Sequence, residues 1–130
     1  MNLSRLLLLH ALVTLGAGVV LILSPARIPA TVGIALPPDA RLLAYLLGAA
    51  ELALGALSYL ARRIQDAGAL RVVVRTFIGF HLATAAVEVL AFSQGLTARI
   101  WGNVALRLLI SLLFYFYGLR RSPAGTRPIT

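Results

Sequence analysis

The sequence predicts an all-α integral membrane protein, an antiparallel bundle of four transmembrane helices. Of its 130 residues, 60% are hydrophobic and only 12% are charged. The apolar residues gather in runs at about 3 to 23, 41 to 61, 72 to 93 and 99 to 119, and the arginines gather mainly between those runs. A water-soluble domain of this length could not divide such a composition between one core and a solvated surface. Each run is near the roughly 20 residues that cross a bilayer as a helix.

The first run follows Arg5 and is rich in leucine. Its apolar stretch of about 18 exceeds the roughly 7 to 15 of a cleaved leader's core, and it contains His10, so it reads as a retained helix. Pro25, Pro29, Pro37 and Pro38 then interrupt the chain. Proline at that density cannot continue a helix, so Ser24 to Ala40 is expected to be an ordered loop with a short interfacial helix after Pro38-Asp39. Arg62 to Gly68 reads as a polar turn with a glycine stop and Ser93 to Ala98 as a shorter one, which makes neighbouring helices antiparallel. Residues 1–121 form one domain in this reading, and 122–130, with two prolines and no apolar periodicity, are expected to be a disordered cytoplasmic tail. Four spans place both ends on one side. Arginines 5, 62, 63, 71, 75, 120, 121 and 127 fall there, against 27, 41 and 99 opposite. The positive-inside rule puts both termini in the cytoplasm of a bacterial cell.

Several functions are disfavoured by the same residues. The formal charge of +8 comes with arginines set in loops beside spans, which suits topology and anionic headgroups and excludes nucleic acid as the natural partner. With no cysteine there is no disulfide and no thiolate ligand. Gly16-Ala17-Gly18 follows no strand and is read as packing, not as a phosphate loop. The Glu-x-x-His spacing of di-iron bundles is missing, so no metal is expected, and no cofactor is implied. No serine has a histidine and an acid at the spacing of a nucleophilic triad. Trp101, Tyr115 and Tyr117, near the two ends of the last helix, are read as interfacial anchors.

The chemistry lies in ionisable residues within the spans, each costing about 2.5 to 3.5 kcal/mol on insertion scales. They are His10, Glu51, His81, Glu88 and Arg107. At about 1.5 Å per residue along antiparallel helices their depths overlap, with Glu51 and Arg107 nearest the midplane, so one cluster is expected and Glu51 is expected to face Arg107. Helical spacing gives each span one polar stripe: His10, Thr14 and Ala17; Ala44, Gly48, Glu51, Gly55 and Ser58; Phe77, His81, Thr84 and Glu88; Asn103, Arg107, Ser111 and Phe114. Leucine, valine and isoleucine dominate the other faces, as lipid contact requires. The set is either structural glue or a site. Two carboxyl groups beside one arginine leave an extra acid, which favours a site. Glu51, His81 and Glu88 are the candidate proton-transfer residues. His10, Tyr45, Thr84, Asn103, Arg107 and Ser111 are the candidates for binding a substrate.

The stretch Leu47 to Leu57, LGAAELALGAL, running into Arg62-Arg63, resembles the second helix of DoxX-like proteins, small four-helix proteins of bacterial membranes. The resemblance covers about a third of the chain and rests chiefly on Glu51 between two glycines. It implies a four-helix bundle and, by analogy with some relatives, a membrane oxidoreductase as partner. Three functions follow as expectations. The first is binding of a lipophilic small molecule, quinone-like or isoprenoid-like. The second is acid/base catalysis without a cofactor, by an isomerase, cyclase or epoxide-opening enzyme. The third is proton-coupled export, which needs a homodimer in so small a chain.

Overall fold

A computed structural model of the chain describes residues 2–120. Among the described residues there is no strand. The main elements are α1 (Leu3–Leu23), α2 (Arg27–Thr31), α3 (Arg41–Ala61), α4 (Ala67–Ser93) and α5 (Ile100–Phe114), the last continued by a π-helical turn over Tyr115–Arg120. Four helical spans, Leu3–Leu23, Pro38–Ala61, Ala67–Ser93 and Ile100–Arg120, are long and apolar enough to cross a bilayer. The protein is therefore a multi-pass membrane protein built as a four-helix bundle. The tail expected over 122–130 lies outside the described residues.

The helix limits follow from local chemistry. Asn2 caps α1, its side chain accepting from the backbone N–H of Arg5 at 2.9 Å, and α1 ends at Ser24 before the first proline. Ahead of α3, Pro38–Ala40 forms a single 3-10 turn that leads straight into the helix. The loop before it also holds the five-residue α2, which the proline spacing did not suggest. Helix α4 begins five residues earlier than its apolar run: Asp66 accepts from the N–H of Ala69 and caps the helix, so Gly68 lies in its first turn and does not act as a stop. An N-cap acid satisfies donors that a glycine leaves open, and here it decides the boundary.

Two tight helix pairs make the bundle. Helices α1 and α3 approach so closely that a methyl group at Gly18 would lie 2.8 Å from the Gly48 carbonyl oxygen, and one at Gly55 would lie 2.7 Å from Leu15 Cγ. Small residues allow this approach, and it gains dispersion contact where lipid offers no hydrophobic driving force. Helices α4 and α5 form the second pair, with Gly118 of the π-helical turn set against Val74. The pairs meet through large side chains. Leu7, Val74, Phe77 and Phe114 are all fully buried between them. Helix α1 contacts α5, whereas the backbones of α3 and α4 approach less closely than those within either pair, and Ala61 of α3 meets Val74 and Phe77 of α4 through side chains in the core. Only toward the loop end, where Leu43 and Leu47 of α3 and Val87 of α4 line a cavity, does a gap separate these two helices.

At one end of the bundle, the loop end, residues 24 to 40 fold into a cap. Backbone N–H groups of Gly33 and Ile34 donate to Ala30 and Pro29 carbonyls at 3.0 Å, which orders the segment. Gly33 has φ +76°, a backbone region that side chains rarely adopt, and a methyl group there would sit 2.9 Å from Thr97 Cγ2. The cap thus leans on the turn between α4 and α5.

Candidate functional site

The polar stripes do face inward, but they assemble into two groups. His10, Thr14, Ser58, His81 and Ser111 are buried, and Glu51, Glu88, Asn103 and Arg107 are half-buried.

The first group lies toward the end opposite the cap. His10 Nδ1 is 3.0 Å from Ser58 Oγ, and His10 Nε2 is 3.0 Å from His81 Nε2. The Ser58 hydroxyl donates to the Leu7 carbonyl at 2.9 Å, and that bond settles the order of the others. With its only proton committed, Ser58 accepts from His10 Nδ1–H. In a neutral pair His10 Nε2 is then an acceptor and takes the proton of His81 Nε2–H. His81 Nδ1 remains an acceptor, buried and without a hydrogen-bond partner. Phe77 and Phe114 rings surround His10, with centroids at 4.9 and 5.1 Å. The chain of bonds ties α1 to both α3 and α4. Ser58 shares the inward face of Glu51 in the sequence but is not among the candidate site residues; serine on a membrane helix commonly bonds within its own helix, so spacing alone does not signal its bond to His10.

The second group lies toward the loop end. Arg107 Nε donates to Glu88 Oε1 at 2.9 Å, and Asn103 Nδ2 donates to the same oxygen. Glu88 Oε2 is buried and has no hydrogen-bond partner. The expected pairing of Glu51 with Arg107 is not formed. Residues 88 and 107 stand opposite each other across the α4–α5 hairpin, which is tightly packed, whereas Glu51 belongs to α3, in the other helix pair. Arg107 remains within electrostatic range of Glu51 without making an ion pair. The single cluster expected from depth alone is thereby split.

Above Glu88, Asn103 and Arg107 lies a cavity of about 420 Å³. Its walls are apolar. The cap contributes Ile28, Val32, Ile34 and Leu36, α3 contributes Leu43 and Leu47, and α4 contributes Val87. The cap residues had a legible signal, apolar side chains spaced between prolines, yet none was chosen as a candidate. Leu43, Leu47 and Val87 also face outward, 67%, 47% and 63% exposed, so the cavity opens sideways between α3 and α4. In a bilayer that mouth meets hydrocarbon.

Of the other candidates, Thr84 donates to the Phe80 carbonyl and Ser111 to the Arg107 carbonyl, both satisfied within their own helices. Tyr45 is exposed. Neither these three nor Glu51, His10 and His81 line the cavity. Trp101 is exposed near the loop end, with its ring near that of Phe92, and Tyr115 is exposed near the opposite end, whereas Tyr117 turns partly into the core.

Fold and site together define a multi-pass helical membrane protein with a cavity that is apolar in its walls and polar at its floor. The chain matches no family model, no curated protein and no solved structure.

Proposed function

We propose that the protein binds a lipophilic small molecule within the bilayer, with its polar head against Glu88, Asn103 and Arg107 and its apolar body in the cavity under the cap. The observation that carries this reading is the cavity itself, a largely apolar space of about 420 Å³ with three convergent polar side chains. Ligand sites combine those properties, and intramembrane ionisable residues mark function by default. On this reading Tyr45, Thr84 and Ser111 are structural, and His10 and His81 brace the bundle beneath the site. The arginine distribution supports a bacterial cytoplasmic membrane with both termini in the cytoplasm. The likeness of α3 to the second helix of DoxX-like proteins agrees with this reading, with a membrane oxidoreductase as the user of the bound molecule. The test is mass spectrometry of lipophilic compounds that copurify with the protein and with Ala91→Phe, which fills the cavity wall. A compound retained by the parent and lost from a folded variant supports binding; equal retention refutes it.

A second reading, proton transfer to a bound substrate, is favoured by one observation. Glu51 is a second carboxyl group within electrostatic range of Arg107, which Glu88 already neutralises. An acid and a base can isomerise a lipophilic substrate that reaches both, which here requires the substrate to extend from the cavity lined by Glu88 to Glu51. Incubation with candidate substrates in deuterated water tests it. Deuterium incorporation by the parent and not by Glu51→Gln supports catalysis, and incorporation by neither across the panel leaves binding alone.

A further inference from the structure

We infer that the bound molecule is a neutral lipophile headed by a hydroxyl group, taken up sideways from the membrane, rather than an anionic lipid or a carbonyl compound without a donor. The inference rests on the cavity being a ligand site and names the ligand's class.

Three features of the floor select the head. First, the charge of Arg107 is matched by Glu88 at 2.9 Å. A carboxylate or phosphate would find no unmatched cation, and it would approach the carboxyl group of Glu88. Secondly, Asn103 and Arg107 both donate to the same oxygen, Oε1, so the other oxygen of Glu88 is a buried acceptor without a donor. A ligand that displaces water here and brings only acceptors strands that oxygen, whereas an O–H satisfies it. Thirdly, the guanidinium of Arg107 has five N–H donors and spends one, on Nε, in the bond to Glu88. One hydroxyl group serves both needs, donating to Glu88 and accepting from Arg107. Ethers, ketones and esters can do only the second.

The walls select the body and the route. The cavity's volume of about 420 Å³ is within the range of about 300 to 1,000 Å³ of small-molecule sites, enough for a head and a short branched tail. Its mouth between α3 and α4 is bordered by outward-facing Leu43, Leu47 and Val87. A longer tail would leave through that gap into hydrocarbon. The cap lines the water side of the cavity with the half-buried apolar side chains of Ile28, Val32, Ile34 and Leu36, which favours the hydrocarbon-facing mouth as the way in.

The test uses the full chain in lipid nanodiscs and three probes that share one tail: geraniol, geranyl methyl ether and geranic acid at a pH where it is ionised. Affinity is read from the shift in thermal midpoint with probe concentration. Geraniol should bind most tightly, with the ether weaker by roughly 5- to 150-fold for the stranded acceptor. The acid should be the weakest. Glu88→Gln removes the negative charge and frees Arg107, so its preference should invert toward geranic acid. A parent protein that prefers the acid, or that binds ether and alcohol alike, overturns the inference while leaving a lipophile site in place. A folded parent protein that binds none of the three overturns the cavity reading and this inference together. Failure of Glu88→Gln to shift preference, with the variant folded, also overturns the role given to Glu88.

Discussion

The two halves of the bundle are made from the same kinds of helix and do opposite things with their polar residues. In the half away from the cap, His10 is enclosed by Phe77 and Phe114 and connects to Ser58 and His81 in an unbranched chain of bonds. In the capped half, Glu88, Asn103 and Arg107 converge on one oxygen and leave space above it. The difference shows what makes a polar group structural in a membrane. Where the large side chains of α1, α4 and α5 fill the middle, polar atoms have to satisfy each other. Where α3 and α4 stand apart, they can face a guest.

The comparison can be broken most directly by truncation on the packed side. Phe77→Ala should lower stability by about 3 to 5 kcal/mol, because a fully buried ring leaves a cavity that the facing helices cannot close. Reversible unfolding in mixed micelles would measure it, and a loss no larger than that of a cap variant would remove the contrast between the halves.

Next in size is the ion pair. Arg107→Met should cost about 3 kcal/mol by stranding Glu88 in low dielectric, and adding Glu88→Gln should recover most of that loss. Glu51→Gln should have a smaller effect than the loss of Glu88 and should couple to Arg107→Met more weakly, since Glu51 makes no ion pair with Arg107. A cycle in which Glu51, and not Glu88, couples to Arg107 would reassign the pair. Ser58→Ala should cost about 1 to 2 kcal/mol, because His10 Nδ1–H loses its acceptor. Nitrogen chemical shifts of labelled histidine should show Nδ1–H on His10 and Nε2–H on His81 in the parent, and a changed pattern in the variant. The smallest effect belongs to the cap. Ile34→Ala, at a half-buried position on the cavity wall, should change stability by less than about 1 kcal/mol yet shorten the residence of a bound lipophile, measured by ligand dissociation from nanodiscs.

How much of this was legible before the fold was known differs residue by residue. The inward faces were legible: Ala44, Gly48, Gly55 and Ser58 are buried as helical spacing requires, and so are His10, His81 and Phe114. Depth was partly legible, since it follows from counting residues along a helix. Partner choice was not. Glu51 and Glu88 both lie at depths compatible with Arg107, and only the packing of α4 on α5 gives the arginine to Glu88. His10 and His81 are 71 residues apart, and no periodicity on either helix states that the rings will meet.

The sequence by itself determined four helical spans, the approximate limits of most of them and the face each turns inward, because hydrocarbon forces every backbone polar group into a helix and penalises every outward charge. Tertiary structure decided which helices pair closely, where a gap remains and which acid holds the arginine. Those outcomes depend on contacts of a few ångströms between residues distant in the chain, such as Gly18 with Gly48 and Glu88 with Arg107, and a pattern read along one helix carries no information about its neighbour's distance.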